Sequence, residues 1–142
     1  MTEPHEIEEG NELMLDFSKC DGLAGMDVLP AVIQDVITKE VLMVGYMNRQ
    51  ALQLSIAEGR VVLWSTTRNE FWRKGDTSGD SLTIADLRTN CEQNSLLVMV
   101  RKESDGVCHT RGADGRTRPT CYYRRLISAT QLAPLGAKAD AG

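Results

Sequence analysis

Apolar and polar positions outline a hairpin followed by a helix in the first half of the chain. The runs 28–37, VLPAVIQDVI, and 41–47, VLMVGYM, are short, rich in β-branched residues and separated by the polar link Thr38-Lys39-Glu40. Such a pair predicts two antiparallel strands joined by a tight turn. Asn48 stands where a helix N-cap is wanted, since its side-chain oxygen can accept from an amide of the first turn, and Gly59 stands just past the predicted end. Between them RQALQLSIAE places Ala51, Leu52, Ser55 and Ile56 on one face, a short helix covering a sheet. Further strands are predicted at 60–66 (RVVLWST), 81–88 (SLTIADLR) and 95–101 (SLLVMVR). The pattern gives a mainly β (α+β) single domain, with mixed strands and one or two short helices.

The ends read differently. Residues 1–27 form an acidic arm, and the stretch from Ala129, ATQLAPLGAKADAG, is rich in Ala and Gly without an apolar period. The second predicts a flexible tail over 129–142, leaving 28–128 as the folded domain.

Composition adds limits. A chain of 142 residues with 42% hydrophobic and 25% charged positions is ordinary for one soluble domain, and no stretch approaches a membrane span. The first residues, MTEPHEIEEG, have neither a basic start nor an apolar run, which predicts a protein of the reducing cytoplasm, where disulfides are rare. The net charge of −4 hides an asymmetry: residues 1–16 carry six acids and no Lys or Arg, whereas 101–125 carry seven basic and three acidic side chains. The cationic segment points to an anionic ligand, with phosphate the usual one; the other reading is a solvated charged loop. Neither a nucleic-acid nor a membrane partner is expected.

Cysteine carries the chemistry. Cys91, Cys108 and Cys121 lie in polar, turn-rich surroundings, and His109 follows the middle one directly. Three thiolates match the catalytic zinc pattern of three protein ligands plus water, although the spacings of 17 and 13 residues fit no CxxC ribbon or finger. The competing reading is three small buried hydrophobes. Cys20, far from the others in sequence, is expected to be an inert thiol.

Two polar stretches interrupt the strands. The first runs from Trp64 to Gly79 and offers Arg68, Arg73, Lys74, Thr77 and Ser78 as donors for a phosphate, the other reading being a surface turn; Trp64 and Trp72 are placed in the core. The second is Asn90-Cys91-Glu92-Gln93-Asn94, where strand alternation would put Asn90, Glu92 and Asn94 on one face and Cys91 on the other, a candidate position for a second cation.

In combination these segments resemble the phosphoribosyl-AMP cyclohydrolase family, which opens the adenine ring of phosphoribosyl-AMP in histidine biosynthesis. The resemblance covers about residues 28–125 and rests on Gly45-Tyr46-Met47-Asn48, on Trp64-Ser65 leading to Trp72-Arg73-Lys74-Gly75-Asp76-Thr77-Ser78-Gly79, on Cys91, on Cys108-His109-Thr110 and on Cys121-Tyr122-Tyr123-Arg124. It implies an intertwined homodimer in which Cys91 of one chain joins Cys108 and Cys121 of the other around zinc. His109 is implied as general base and then general acid, a role suited by an unperturbed pKa near 6.5; the alternative is a residue that only orients Cys108. Two departures stand out. The family's usual Asp-Cys-Asp-x-Asp run, which binds magnesium, is here Asn90, Glu92 and Asn94 around Cys91, so magnesium binding is expected to be weakened. The stretch between Cys108 and Cys121, carrying GADGRTRP, is also longer than usual. A paralogue acting on another N-heterocyclic nucleotide, or a zinc-stabilised nucleotide-binding protein without turnover, are the alternatives these departures leave open.

Overall fold

The computed structural model describes Leu15, residues 27–75 and residues 79–135. Cys20, Thr77, Ser78, most of the acidic arm and residues 136–142 lie outside that range.

Eight strands and one helix make up the described part: β1 (Leu29–Asp35), β2 (Val41–Met47), α1 (Arg49–Glu58), β3 (Val62–Ser65), β4 (Glu70–Arg73), β5 (Leu82–Thr89), β6 (Leu96–Lys102), β7 (Arg124–Leu126) and β8 (Leu132–Pro134). The mainly β reading with one helix is what the chain adopts. A four-stranded sheet has the order β2-β1-β6-β5, and β3-β4 and β7-β8 form separate two-stranded sheets. Within the large sheet β1 and β6 run parallel while the two flanking pairs are antiparallel.

The predicted hairpin forms because alternation in β1 is strict. Leu29, Ala31, Ile33 and Asp35 turn inward and the residues between them are half exposed. Asp35 ends the strand as a turn former: its Oδ1 accepts from the amide of Ile37 at 2.8 Å, and its carbonyl accepts from the amide of Lys39, which adopts φ 67. The core lies between this sheet, α1 and β3, and includes Ile33, Leu42, Met47, Leu63, Leu82, Val98, Val100 and Val107. The Asn48 side chain accepts from the amide of Ala51 at 2.8 Å, and Gly59 closes the helix in the left-handed conformation with φ 69. Both caps fall where the sequence places them.

The helix face needs one correction. Ala51, Leu52 and Ser55 are buried, but Ile56 is 61% exposed. The helix is fixed to β3 by a polar contact as well as an apolar one: the buried Ser55 hydroxyl donates to the Val62 carbonyl at 3.0 Å and accepts from the Val62 amide at 2.9 Å. That two-point tie sets the rotation of α1 and leaves Ile56 outside.

Other differences come from the polar segments. β4 lies within the stretch read as a loop, paired with β3 through a turn at 66–69 in which Asn69 has φ 53. Trp64 packs edge-on against Phe71, with ring centroids 5.1 Å apart, beside the core. Trp72, expected inside, is 36% exposed, because alternation along β4 turns it to the opposite face from Phe71. At the C-terminal end β8 falls within the stretch read as a flexible tail from Ala129; it pairs with β7, Arg124 facing Pro134 and Leu126 facing Leu132. Alanine and glycine richness conceals a hairpin whose strands are three residues each.

Candidate functional site

The two later cysteines are brought together by backbone hydrogen bonds around a small excursion. The carbonyl of Arg118 accepts from the amides of Val107 and Cys108 at 2.8 and 2.9 Å, and the amide of Arg118 donates to the Thr110 carbonyl at 3.0 Å. These bonds close the chain on itself at Thr110 and Arg118. Residues 111–117 then turn back within their own hairpin, with a bridge between Arg111 and Thr117 and the Arg111 guanidinium donating to the Gly115 carbonyl at 2.8 Å. The extra length between Cys108 and Cys121 is therefore absorbed locally. Gly106 seats the excursion: a Cβ there would run into the Thr117 side chain, which would have to give way.

Cys121 is fixed from the other side. β2 is an edge strand, and its open carbonyls are covered by the segment carrying Cys121: the Cys121 amide donates to the Leu42 carbonyl at 2.7 Å, and the buried Thr120 hydroxyl contacts the carbonyls of Val41 and Leu42 at 3.0 and 3.2 Å. Covering an edge in this way removes a row of unpaired backbone groups and places the thiol at a defined point above the core. Sequence reading missed Thr120, whose position beside a cysteine carries no signal of its own.

Cys108 is buried, while Cys121 keeps an exposed residue surface with its sulfur within hydrogen-bonding reach of Cys108. Burial pushes the Cys108 thiol up, but hydrogen bonds from Thr110, whose hydroxyl is 3.0 Å from the sulfur, and from Cys121, together with the Arg118 charge, bring it below its ordinary value. Burial, followed by the charge of Cys108, pushes Cys121 up to about 11. Cys108 is thus the easier of the two to ionise, and a second thiolate beside it is costly without a cation. Two adjacent thiols that resist joint ionisation suit a divalent metal, which removes that repulsion.

Lys74 belongs to the same place. It is only 4% exposed, and burial pushes its ammonium below the ordinary lysine value, opposed by Asp80, Cys121 and Cys108. Gly75, at φ 94, brings the chain so close to Ser81 that a Cβ would lie 2.4 Å from the Ser81 amide nitrogen, and this packing holds Lys74 inward. Asp80 is in turn held by the Ser104 hydroxyl at 2.5 Å. His109, next to Cys108, is exposed.

Cys91 does not join them within one chain. It is exposed on the turn between β5 and β6, and among the described residues no three His, Cys, Asp or Glu side chains gather in a way that could hold a metal. The same turn corrects the strand reading of 90–94. The Gln93 amide donates to the Asn90 carbonyl, Gln93 has φ 54, and the segment is not extended. Asn90, Glu92 and Asn94 nevertheless converge. The Asn90 amide donates to the Asn94 oxygen at 2.6 Å, Asn94 donates to Glu92 at 3.4 Å, and the Asn90 oxygen accepts from the amides of Asn94 and Ser95 at 3.0 Å each. Both amide oxygens are already taken by donors. With one carboxylate and occupied amides, this set does not fit a magnesium ion, which wants carboxylates and water in near-octahedral order.

Of the other expected phosphate donors, the described Arg73 and Arg68 each have a carboxylate partner. Arg73 makes a two-pronged pair with Glu58 at the end of α1, at 3.0 and 2.8 Å, which ties β4 to the helix. Arg68 lies on the β3–β4 turn, 3.5 Å from Glu70, with both side chains largely in solvent. It lines a cleft of about 310 Å³ together with Tyr46, Trp64, Thr67 and Trp72. Among the described residues no helix is long and apolar enough to cross a membrane.

Comparison with known proteins bears on this geometry. The family model described as phosphoribosyl-AMP cyclohydrolase matches residues 43–123, which contain all three of these cysteines and the hairpin that brings two of them together. The phosphoribosyl-AMP cyclohydrolase of Solibacter usitatus is 40% identical over 112 residues, covering 79% of this chain and 80% of that protein. The enzyme of the same name from Bordetella petrii is 41% identical over 99 residues, 70% of this chain and 69% of its own length. The histidine biosynthesis bifunctional protein HisIE of Pasteurella multocida is 40% identical over 112 residues, 79% of this chain but 50% of that longer protein. A family match over more than half of the chain, with relatives this similar over most of it, shows that the chain belongs to the phosphoribosyl-AMP cyclohydrolase family of histidine biosynthesis.

Proposed function

We propose that this protein hydrolyses the adenine ring of phosphoribosyl-AMP, using zinc held by Cys108 and Cys121 of one chain and Cys91 of a second. The observation that carries the reading is the pairing of Cys108 with Cys121 beside Lys74, with Cys91 exposed elsewhere on the same chain. Two thiols make an incomplete ligand set, and an exposed cysteine on a turn is what a neighbouring copy can use. The protein is accordingly a homodimer whose sites are shared, and its place is the cytoplasm.

Zinc, when bound, lowers the pKa of water from about 15.7 toward about 7 and so supplies the hydroxide equivalent that attack on an amidine carbon needs. The chain's own groups do the rest. Cys108 and Cys121 would hold the metal, their backbone positions fixed by the bonds to the Arg118 and Leu42 carbonyls. Lys74 would offset part of the negative charge that Cys108 and Cys121 bring together. His109, exposed beside Cys108, takes the proton from the attacking water and returns it to the ring nitrogen as the C–N bond opens. At the second metal position the amide groups of Asn90 and Asn94 satisfy each other and Glu92, and no step depends on magnesium.

Turnover of phosphoribosyl-AMP by the purified protein, with elemental analysis alongside, tests the proposal. Ring opening with about one zinc per chain is the expected result. Turnover unaffected by complete zinc removal would overturn it. Refolding an inactive Cys91→Ser chain together with an inactive Cys108→Ser chain should recover part of the activity, since one site of the mixed dimer then has every ligand.

A further inference from the structure

The Cys108–Cys121 pair has a second cationic neighbour besides Lys74. Arg118 and Arg124 both stack on Tyr123, their guanidinium carbons 4.0 and 5.0 Å from the ring centroid. With Leu132, Ala133 and Pro134 of β8 they line a cleft of about 370 Å³. No carboxylate lines this cleft, and among the described residues neither guanidinium forms an ion pair. Other arginines in the fold do pair: Arg68 with Glu70, Arg73 with Glu58 and Arg88 with Asp86.

Two like charges on one aromatic ring repel, and the ring's quadrupole compensates only weakly at an open site. An anion between them would offset the repulsion and take the parallel N–H forks that arginine presents to phosphate. The fold maintains the arrangement at both ends. Arg118 is pinned by its backbone to Cys108 and Thr110, and Arg124 is pinned by β7, which pairs with β8 across the Arg124–Pro134 register. Because the main chain of Arg118 carries those bonds, its side chain is left for another task. The Arg118 carbonyl accepts from the Cys108 amide at 2.9 Å, so one wall of the cleft is tied by backbone to a member of the thiol pair.

We infer that Arg118 and Arg124, mounted on Tyr123, clamp a phosphate monoester of the substrate next to the Cys108–Cys121 pair. The inference rests on the proposed function for the identity of the substrate, which carries one phosphate on each ribose. The clamp recognises the shared chemistry, a terminal phosphate on a ribose, and experiment distinguishes the two sources.

Calorimetry on the zinc-loaded protein with AMP against adenosine, and with ribose 5-phosphate against ribose, decides the matter. The phosphorylated member of at least one pair should bind about tenfold or more tightly than its partner, and an Arg118→Met/Arg124→Met double variant should lose that preference. The pair that loses it names the phosphate that is held. Arg118→Lys should keep part of it, since charge remains while the fork is lost. With phosphoribosyl-AMP as substrate, the loss in the double variant should fall mainly on KM. The clamp is overturned if the parent protein shows no preference for either phosphorylated probe. It is equally overturned if the double variant, folded by its melting curve and retaining zinc, discriminates as the parent does. Failure of the parent to turn over phosphoribosyl-AMP would sink the functional reading and leave the binding comparison to judge the clamp by itself.

Discussion

The turn at 90–94 and the excursion at 108–121 are both polar loops at a sheet margin, and their polar groups behave in opposite ways. In the first, each amide and carboxylate finds a partner within five residues, Asn90 with Asn94 and Ser95, Asn94 with Glu92. In the second, backbone bonds at Cys108, Thr110, Arg118 and Cys121 fix the path, while side chains in and around it are left incompletely matched: two thiols that cannot easily ionise together, the buried Lys74 beside them, and Arg118 sharing the Tyr123 ring with Arg124. A polar group satisfied by its neighbours stabilises a loop, and one held rigidly without full compensation is ready for a ligand. The difference separates residues that look alike in sequence.

The largest effect expected from this contrast lies in the thiols. Cys108→Ser and Cys121→Ser should each remove zinc and lower kcat/KM by at least about a hundredfold, because a serine hydroxyl is a poor zinc ligand near neutral pH. Cys91→Ser should match them in activity and metal content although it sits on the self-satisfied turn. Full zinc in the Cys91 variant would detach that turn from the site and confine metal binding to one chain's pair.

Next in size is the packing that seats the excursion. Gly106→Ala puts a methyl where the Thr117 hydroxyl already is and should cost about 1–3 kcal/mol by overpacking, with thiol geometry disturbed in proportion. Chemical denaturation measures the loss. A stable variant with parent zinc affinity would mean that the 111–117 hairpin is not what aligns Cys108 with Cys121.

How much of this was legible in the sequence depends on the same distinction. β1, β2, β5 and β6 were readable to within a residue or two because their apolar positions alternate or run together, and the helix because Asn48 and Gly59 mark its ends. β4 was not, since EFWR is embedded in a stretch of hydroxyls and charges, and its stability comes from pairing with β3 rather than from its own pattern. At 90–94 the residue types leave an extended strand and a polar turn both open, because nothing in them announces the positive φ of Gln93. The three cysteines were visible as candidates, but the burial of Lys74, the Thr120 contact with β2 and the stacking on Tyr123 arise from contacts remote in sequence. Arg73 reads as a phosphate donor, and its pairing with Glu58 in the free chain could not be read from residues 15 positions apart.

The turn itself offers a smaller and reversible test. Replacing Asn90, Glu92 and Asn94 together by Asp removes the amide donors and places three carboxylates where one stood. In metal-free buffer this should destabilise the protein by about 1–2 kcal/mol through lost hydrogen bonds and like-charge repulsion. Magnesium should restore the loss and leave zinc content unchanged. In the parent, magnesium should shift neither melting temperature nor activity at concentrations that rescue the variant. Tight, saturable magnesium dependence in the parent would show that the amides do not stand in for the ion.

The smallest effect concerns Arg73, whose fork is occupied in the manner of the turn and not of the cleft. Glu58 is held below its ordinary carboxylate value chiefly by the hydrogen bond from Arg73, opposed by desolvation and aided by the charges of Arg73 and Arg60. A carboxylate with a depressed folded-state pKa contributes stability above its unfolded value of about 4.5, and that contribution is lost as pH falls through the folded value. Glu58→Gln should therefore lower stability slightly at pH 7, and the deficit relative to the parent should close on acidification below that point. The pair is exposed, so the change should be small and should shrink further in high salt. Arg73→Gln should give the same small stability loss with KM for phosphoribosyl-AMP little altered, whereas Arg118→Met should raise KM. A large rise in KM from Arg73→Gln, with Glu58→Gln silent, would return Arg73 to the substrate and show that an occupied fork in the free protein does not exclude a role in binding.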